Sequence, residues 1–197
     1  MIRQLGSVPN LLTLLRLIFV PFAVIAVVQH HYVWALGIFV IAGVSDGLDG
    51  LLARVLKQKT VLGQYLDPIA DKLLLSTMFL VLSLLHKIPW VVTVLVFSRD
   101  ILIVIVCALL YATSAMKTFQ PSWFGKANTV AQIVTVPVVL LHEIFPSEHW
   151  IGLLRQFGFN ATMALTVISG VHYLWRVAFT LHNAANRTPE DGPETTP

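Results

Sequence analysis

Charge is what this sequence most lacks. Lys, Arg, Asp and Glu together make up 12% of its 197 residues, while 56% are hydrophobic. Soluble globular domains carry about 25% charged residues, so half the usual solvating surface is missing. The mean hydropathy of +0.78 points the same way, to lipid as the solvent. Cysteine is almost absent: Cys107 is the single one and lies in an apolar run. That excludes an internal disulfide and argues against a cysteine metal site. Basic clusters are missing too. The formal net charge of +3 therefore reflects cytoplasmic loops and anionic headgroups rather than a nucleic-acid partner. A cleavable leader is not expected either. The first apolar stretch opens with Ser7-Val8-Pro9-Asn10, contains Arg16 and has no small-residue cleavage site, so it reads as a retained span.

What remains is long apolar runs. A spanning helix needs about 20 mostly apolar residues, and six stretches approach that length, near 8–29, 32–56, 65–85, 89–113, 124–142 and 159–180. The expected fold is an all-α polytopic membrane protein with six transmembrane helices. Residues 1–182 form one membrane domain and 183–197, rich in Pro, Thr and Glu, a disordered cytoplasmic tail. With both termini in the cytoplasm, the inner loops and helix ends hold Arg3, Arg54, Lys57, Lys59, Lys117, Lys126, Arg176 and Arg187, and the outer side only Lys87 and Arg155. The positive-inside rule selects that orientation. Trp34, Trp90, Trp123, Trp150 and Trp175 all fall near expected helix ends, where indoles favour the interface.

Against this background the acids stand out. Charges at membrane depth are expensive and functional by default, yet Asp46, Asp49, Asp67, Asp71 and Asp100 sit in or at the ends of apolar spans. Asp46 and Asp49 are three residues apart and Asp67 and Asp71 four apart, so each pair shares one helical face. A short basic connection makes the second and third helices antiparallel neighbours, and the two pairs then converge at the cytoplasmic mouth. Four carboxylates so placed need cations to stay ionised. Hard oxygen ligands favour Mg²⁺, Mn²⁺ or Ca²⁺, and a two-metal centre suits in-line displacement at a diphosphate. The competing structural reading makes Asp67 a helix N-cap with Pro68 in the first helical position.

Residues 46–71 read DGLDGLLARVLKQKTVLGQYLDPIAD. This resembles the signature of the CDP-alcohol phosphatidyltransferase family, D-x2-D-G-x2-A-R, eight residues, then G-x3-D-x3-D. Asp46, Asp49, Gly50, Ala53, Arg54, Gly63, Asp67 and Asp71 fill every fixed position. Pro9-Asn10-Leu11-Leu12-Thr13 followed by Arg16 is similar to the family's usual opening, and the likeness covers roughly residues 5–180. The resemblance implies a two-metal centre of Mg²⁺ or Mn²⁺ on Asp46, Asp49 and Asp67, with Asp71 at its edge. It implies a site for the donor CDP-diacylglycerol formed by Asp49, Gly50, Ala53, Arg54 and Gly63. Asp71 would be the general base that takes the acceptor's proton as the hydroxyl attacks the β-phosphorus and CMP leaves. It also implies a homodimer in the cell (inner) membrane with the active site facing the cytoplasm.

The acceptor is less sharply marked. Ser98-Arg99-Asp100 interrupts the fourth span and Ser122-Trp123-Phe124-Gly125-Lys126 opens the fifth. Both are similar to segments of phosphatidylglycerophosphate synthases and single-motif cardiolipin synthases. Arg99, Lys126 and Arg16 are the cations available to an acceptor. In the first group a second arginine is expected about two turns after the first, where Cys107 falls here, and a phosphate-bearing acceptor wants concentrated positive charge. Glycerol 3-phosphate nevertheless stands slightly ahead, with phosphatidylglycerol, the cardiolipin synthase acceptor, as the alternative. A carboxylate-lined cation transporter is the distant third, because transport spreads acids through the membrane depth and these gather at one end.

Overall fold

The computed structural model describes residues 8–55, 61–112 and 123–185, and the side chains of 46–55, 61–71 and 106–112, among others within helices, lie outside that description. Six helices account for nearly all of it: α1 (Val8–Val28), α2 (Tyr32–Val55), α3 (Val61–Leu84), α4 (Trp90–Ala112), α5 (Trp123–Ile144) and α6 (His149–Ala185). No strand occurs among the described residues. Five helices start and stop within a few residues of the expected spans, because each is a long apolar run bounded by polar or turn-forming residues. The sixth differs. It begins at His149, ten residues before the expected start, and reaches Ala185, past the expected domain boundary; 186–197 lie outside the described residues. Helix forms across 149–158 because Ile151 and Phe159 are buried there and Arg155 faces Glu143 at 4.0 Å. Trp34, Trp90, Trp123 and Trp150 open their helices and are exposed, whereas Trp175 lies ten residues inside α6.

The principal packing pairs are α5 with α6, α1 with α2, α1 with α3, and α4 with α6, with α2 also resting on α5. The expected direct pairing of α2 with α3 is not among them. A five-residue connection makes these helices successive, but α1 lies against both, presenting buried Ala23, Ala26 and Val27. Ala35 and Ala42 of α2 are also fully buried, and small residues let backbones approach where lipid supplies no hydrophobic drive between helices. The rest of the core includes Leu74, Met78, Phe79 and Leu82 of α3, Val92 and Val96 of α4, and Val136, Val139 and Leu140 of α5.

The interior also carries a polar seam between α5 and α6. Thr166 donates to Asn128 Oδ1 at 3.0 Å, Thr135 and Thr162 share a hydrogen bond of 3.0 Å, and all four residues are buried. A methyl at Gly158 would stand 3.0 Å from Thr135 Oγ1, a tight contact where the two helices cross closely. Outside, Val104, Phe157, Val171 and Leu174 are exposed. Apolar side chains outward and hydroxyls inward is the arrangement lipid demands. Among the described residues, α5 and the stretch His149–Trp175 of α6 are long and apolar enough to cross a membrane. The apolar segments Leu17–Val28, Tyr32–Ser45 and Lys72–Leu84 are shorter.

Three short turns, 29–31, 85–89 and 145–148, gather at one end of the bundle. Lys87 pairs with Glu143 and lies 5.9 Å over the Tyr32 ring, while His30 Nδ1 meets Tyr32 Oη at 2.8 Å. The hydrogen bond to Glu143 raises the Lys87 pKa above its ordinary value. Both cations expected on the outer side, Lys87 and Arg155, are thus tied to one carboxylate, and Arg155 belongs to α6 rather than to a loop.

His30 (φ 60°) and His86 (φ 59°) take the left-handed conformation that ends α1 and α3. In each the amide after the histidine reaches back five residues, His31 N to Ala26 O and Lys87 N to Leu82 O, both at 2.8 Å, completing a Schellman cap. A non-glycine residue there costs roughly 1–2 kcal/mol, partly offset by the freedom glycine has in the unfolded chain. His86→Gly is expected to stabilise the protein by about 0.5–1 kcal/mol, measured as a rise in the thermal unfolding midpoint in detergent.

Candidate active site

The opposite end of the bundle holds the acidic signature. Asp46 and Asp49 fall in the last three turns of α2, and Asp67 and Asp71 in the first three turns of α3. Residues three and four apart are separated by about 60° and 40° around a regular helix, so each pair occupies one face. α3 begins at Val61, six residues before Asp67. Asp67 is therefore not an N-cap and Pro68 lies within the helix, which removes the capping explanation for this residue. The side chains of all four aspartates, with Arg16, Arg54, the alanine and glycines of the signature and Cys107, lie outside the described residues. The donor set of four carboxylates suits hard divalent cations, and the helix register is compatible with it.

Towards the same end of the bundle is a cavity of about 500 Å³, bounded by α3, α4, α5 and α6. Its polar lining comes from Lys72, Ser76, Arg99, Asp100, Lys126 and Thr129, with Tyr173 beside them. Lys72 directly follows Asp71 on α3 and points about 100° round the helix from it. Arg99 and Asp100 lie in the middle of α4, and Lys126 in the first turn of α5. Two of the three cations expected for an acceptor, Arg99 and Lys126, are thus brought to one cavity.

Arg99 is almost fully buried, at 7% exposure, and its guanidinium is held from several sides. Nη1 donates to Asp100 Oδ1 at 2.8 Å, Nε and Nη2 donate to Ser169 Oγ at 3.4 and 3.3 Å, and Nη2 reaches Gly125 O at 3.5 Å. The guanidinium carbon lies 5.9 Å over the Tyr173 ring. The polar seam between α5 and α6 therefore ends on this group, one turn beyond Asn128 and Thr166. Asp100 also pairs with Lys72 through the same Oδ1 oxygen, linking α3 to α4. Lys126 is exposed and has no ion-pair partner among the described residues.

Among the described residues, three cations line the cavity against one carboxylate. The deficit expected from the lack of a second arginine near Cys107 is met by Lys72, arriving from another helix. Sequence reading passed over Lys72 because it abuts the signature, although its place beside Asp71 was a usable signal. Ser169 and Tyr173 offered none, since a serine and a tyrosine in an apolar helix ordinarily satisfy packing.

Residues 6–180 match the CDP-alcohol phosphatidyltransferase family. The chain is 35% identical over 179 residues to a Mycobacterium tuberculosis protein named "Probable phosphatidylglycerophosphate synthase", covering 88% of this chain and 82% of that one. It is 33% identical over 175 residues to the CDP-diacylglycerol–glycerol-3-phosphate 3-phosphatidyltransferase of Salmonella choleraesuis, covering 85% of this chain and 93% of the relative. Human cardiolipin synthase (CMP-forming) is 30% identical over 187 residues, covering 85% of this chain and 61% of the human protein.

Proposed function

Because the chain belongs to the CDP-alcohol phosphatidyltransferase family, and is a membrane-bound phosphatidyltransferase of phospholipid biosynthesis, we propose that it moves the phosphatidyl group of CDP-diacylglycerol to glycerol 3-phosphate. CMP and phosphatidylglycerophosphate are the products. The observation that supports the acceptor assignment is the cavity between α3, α4, α5 and α6, where, among the described residues, Lys72, Arg99 and Lys126 face a single carboxylate, Asp100. A phosphate monoester carries a charge of about −1.5 to −2 at neutral pH and balances that excess. A phosphodiester such as phosphatidylglycerol, with one negative charge, leaves part of it uncompensated.

The family is divalent-metal dependent, and we assign Asp46, Asp49 and Asp67, with Asp71 at the edge, to two Mg²⁺ or Mn²⁺ ions. Bound there, such ions neutralise the carboxylates and the diphosphate and make the phosphorus more electrophilic. Arg54 offsets diphosphate charge, and Gly50, Ala53 and Gly63 leave room for the cytidine end. Asp71 accepts the acceptor's hydroxyl proton while that oxygen bonds to the β-phosphorus. The bond from the β-phosphorus to the bridging oxygen breaks, and CMP departs with the electron pair. Lys72 and Lys126 hold the acceptor's phosphate, with the buried Arg99 adding charge behind them, so that its free hydroxyl faces the donor.

All six helices span the membrane in this reading, with both termini and the active site cytoplasmic and the turn end, with paired Lys87 and Arg155, outside. By family resemblance the working unit is a homodimer. The second acceptor, phosphatidylglycerol, is favoured by exposed Ile101, Val104 and Ile105 on the cavity's α4 rim, which an acyl chain could follow from the bilayer. The two are separated by purifying the protein, supplying CDP-diacylglycerol with Mg²⁺ or Mn²⁺, and following CMP release with each acceptor alone. Glycerol 3-phosphate is expected to support turnover. Turnover with phosphatidylglycerol alone would replace it.

A further inference from the structure

Asn128 and Gln132 stand on successive turns of α5 and are buried, at 0% and 3% exposure. Asn128 Nδ2 and Gln132 Nε2 are fully enclosed and find no hydrogen-bond acceptor among the described residues. Buried amides left in that state carry a desolvation cost. Thr166 of α6 donates to Asn128 Oδ1, which turns Nδ2 away from α6. Gln132 lies about 40° further round the helix, on the side of α5 that also buries Val136 and Val139. Besides α6, α5 rests on α2 and meets α3.

The backbone register sets what stands opposite. Lys87 joins Tyr32 to Glu143, so the ends of α2, α3 and α5 at the turns are level. Counting from Tyr32, Leu84 and Ile144 at 1.5 Å per residue, Asp46 and Asp49 lie about 21 and 26 Å from the turns, Asp71 and Asp67 about 20 and 26 Å, and Gln132 and Asn128 about 18 and 24 Å. The two amides and the four acids therefore share one layer of the bundle. Its strong hydrogen-bond acceptors are the carboxylates.

We propose that Asn128 and Gln132 are positioning residues for the metal centre, donating from α5 to carboxylate oxygens of the aspartates on α2 and α3. The proposal rests on the assignment of those aspartates to divalent ions. A carboxylate has about four lone-pair sites, and a metal leaves some of them to be met by donors from the protein. Such outer partners fix the orientation of the ligands and raise metal affinity. An amide suits the task because it donates without carrying charge, whereas a lysine at the same point would repel the ions. Enclosure in the bundle keeps water from competing for the same oxygens.

The test measures Mn²⁺ binding to the full-length protein by paramagnetic resonance, which requires no turnover, beside thermal unfolding in a chelator. Gln132→Met fills the same space without a donor. Its Mn²⁺ affinity is expected to fall about 10–100-fold, the scale of losing an outer-shell partner. Its metal-free midpoint should hold or rise, because an unpartnered buried amide has been removed. Gln132 is the cleaner of the two positions, since Asn128→Leu would also strand the Thr166 hydroxyl. Unchanged Mn²⁺ affinity in Gln132→Met would mean that ordered water satisfies the amide. A metal-free midpoint that falls together with the affinity would mean a packing role. Either result overturns the proposal, and Gln132→Leu takes the place of methionine should that variant fail to fold. Asp49→Asn checks the underlying assignment in the same assay. If it loses Mn²⁺ and Gln132→Met does not, the role of the amides fails alone. If neither loses Mn²⁺, the aspartate assignment fails with it.

Discussion

Replacing Asp71 by asparagine is expected to lower CMP release by about 10²–10⁴-fold while leaving donor binding close to that of the wild type. Asparagine keeps the shape of aspartate and one carbonyl oxygen, but it has no basic site for the acceptor's proton. The hydroxyl would then have to attack without losing its proton to the protein. On the proposed assignment Asp46, Asp49 and Asp67 would remain to hold divalent ions, so CDP-diacylglycerol should still raise the unfolding midpoint of the variant in Mg²⁺. Asp49→Asn serves as the contrasting case, because a lost ligand should weaken that protection and be partly rescued by more metal. Rescue of Asp71→Asn by metal would make Asp71 a ligand first and a base second. Turnover within a few-fold of wild type would remove it from the chemistry altogether.

How far the sequence reveals this arrangement depends on the range over which each feature is determined. Helices α1 to α5 were legible because a long apolar run between polar breaks is a local property. The early start of α6 was not, since it rests on Ile151 and Phe159 finding the core and Arg155 finding Glu143, contacts made only in the folded bundle. The short connection between α2 and α3 pointed to direct neighbours. Packing instead lays α1 against both, which no rule about connection length anticipates. Capping by Asp67 was excluded by the helix beginning upstream, at Val61. At the site, Arg99 and Lys126 were visible as charges in apolar segments, and the cavity joins them. Lys72 was hidden by proximity to a stronger signal. Its value comes from crossing to α4, a tertiary fact.

Arg99→Met is expected to destabilise the fold by about 1–3 kcal/mol, the desolvation cost of the polar groups it strands, since Asp100 keeps Lys72 as an ion-pair partner. Methionine fills much the same space, so packing loss is secondary. What is lost is the group that joins α4 to Asp100, to Ser169 on α6 and to Gly125 O on α5. Ser169 is fully buried, and each polar group stranded away from water carries its own desolvation cost. Arg99→Lys should recover only part of the loss, because a single ammonium cannot span three acceptors that a planar fork reaches together. Removing the charge on both sides, as Arg99→Met with Asp100→Leu, should recover more, since a buried pair replaced by apolar groups is often near neutral. Lys72 then loses its partner but is exposed enough to hydrate. Unfolding in nanodiscs orders the three proteins: Arg99→Met lowest, Arg99→Lys between, and the double variant above the single methionine. A loss below about 1 kcal/mol for Arg99→Met, the scale of an exposed pair, would mean that water reaches the guanidinium and that the seam between α5 and α6 does not depend on it.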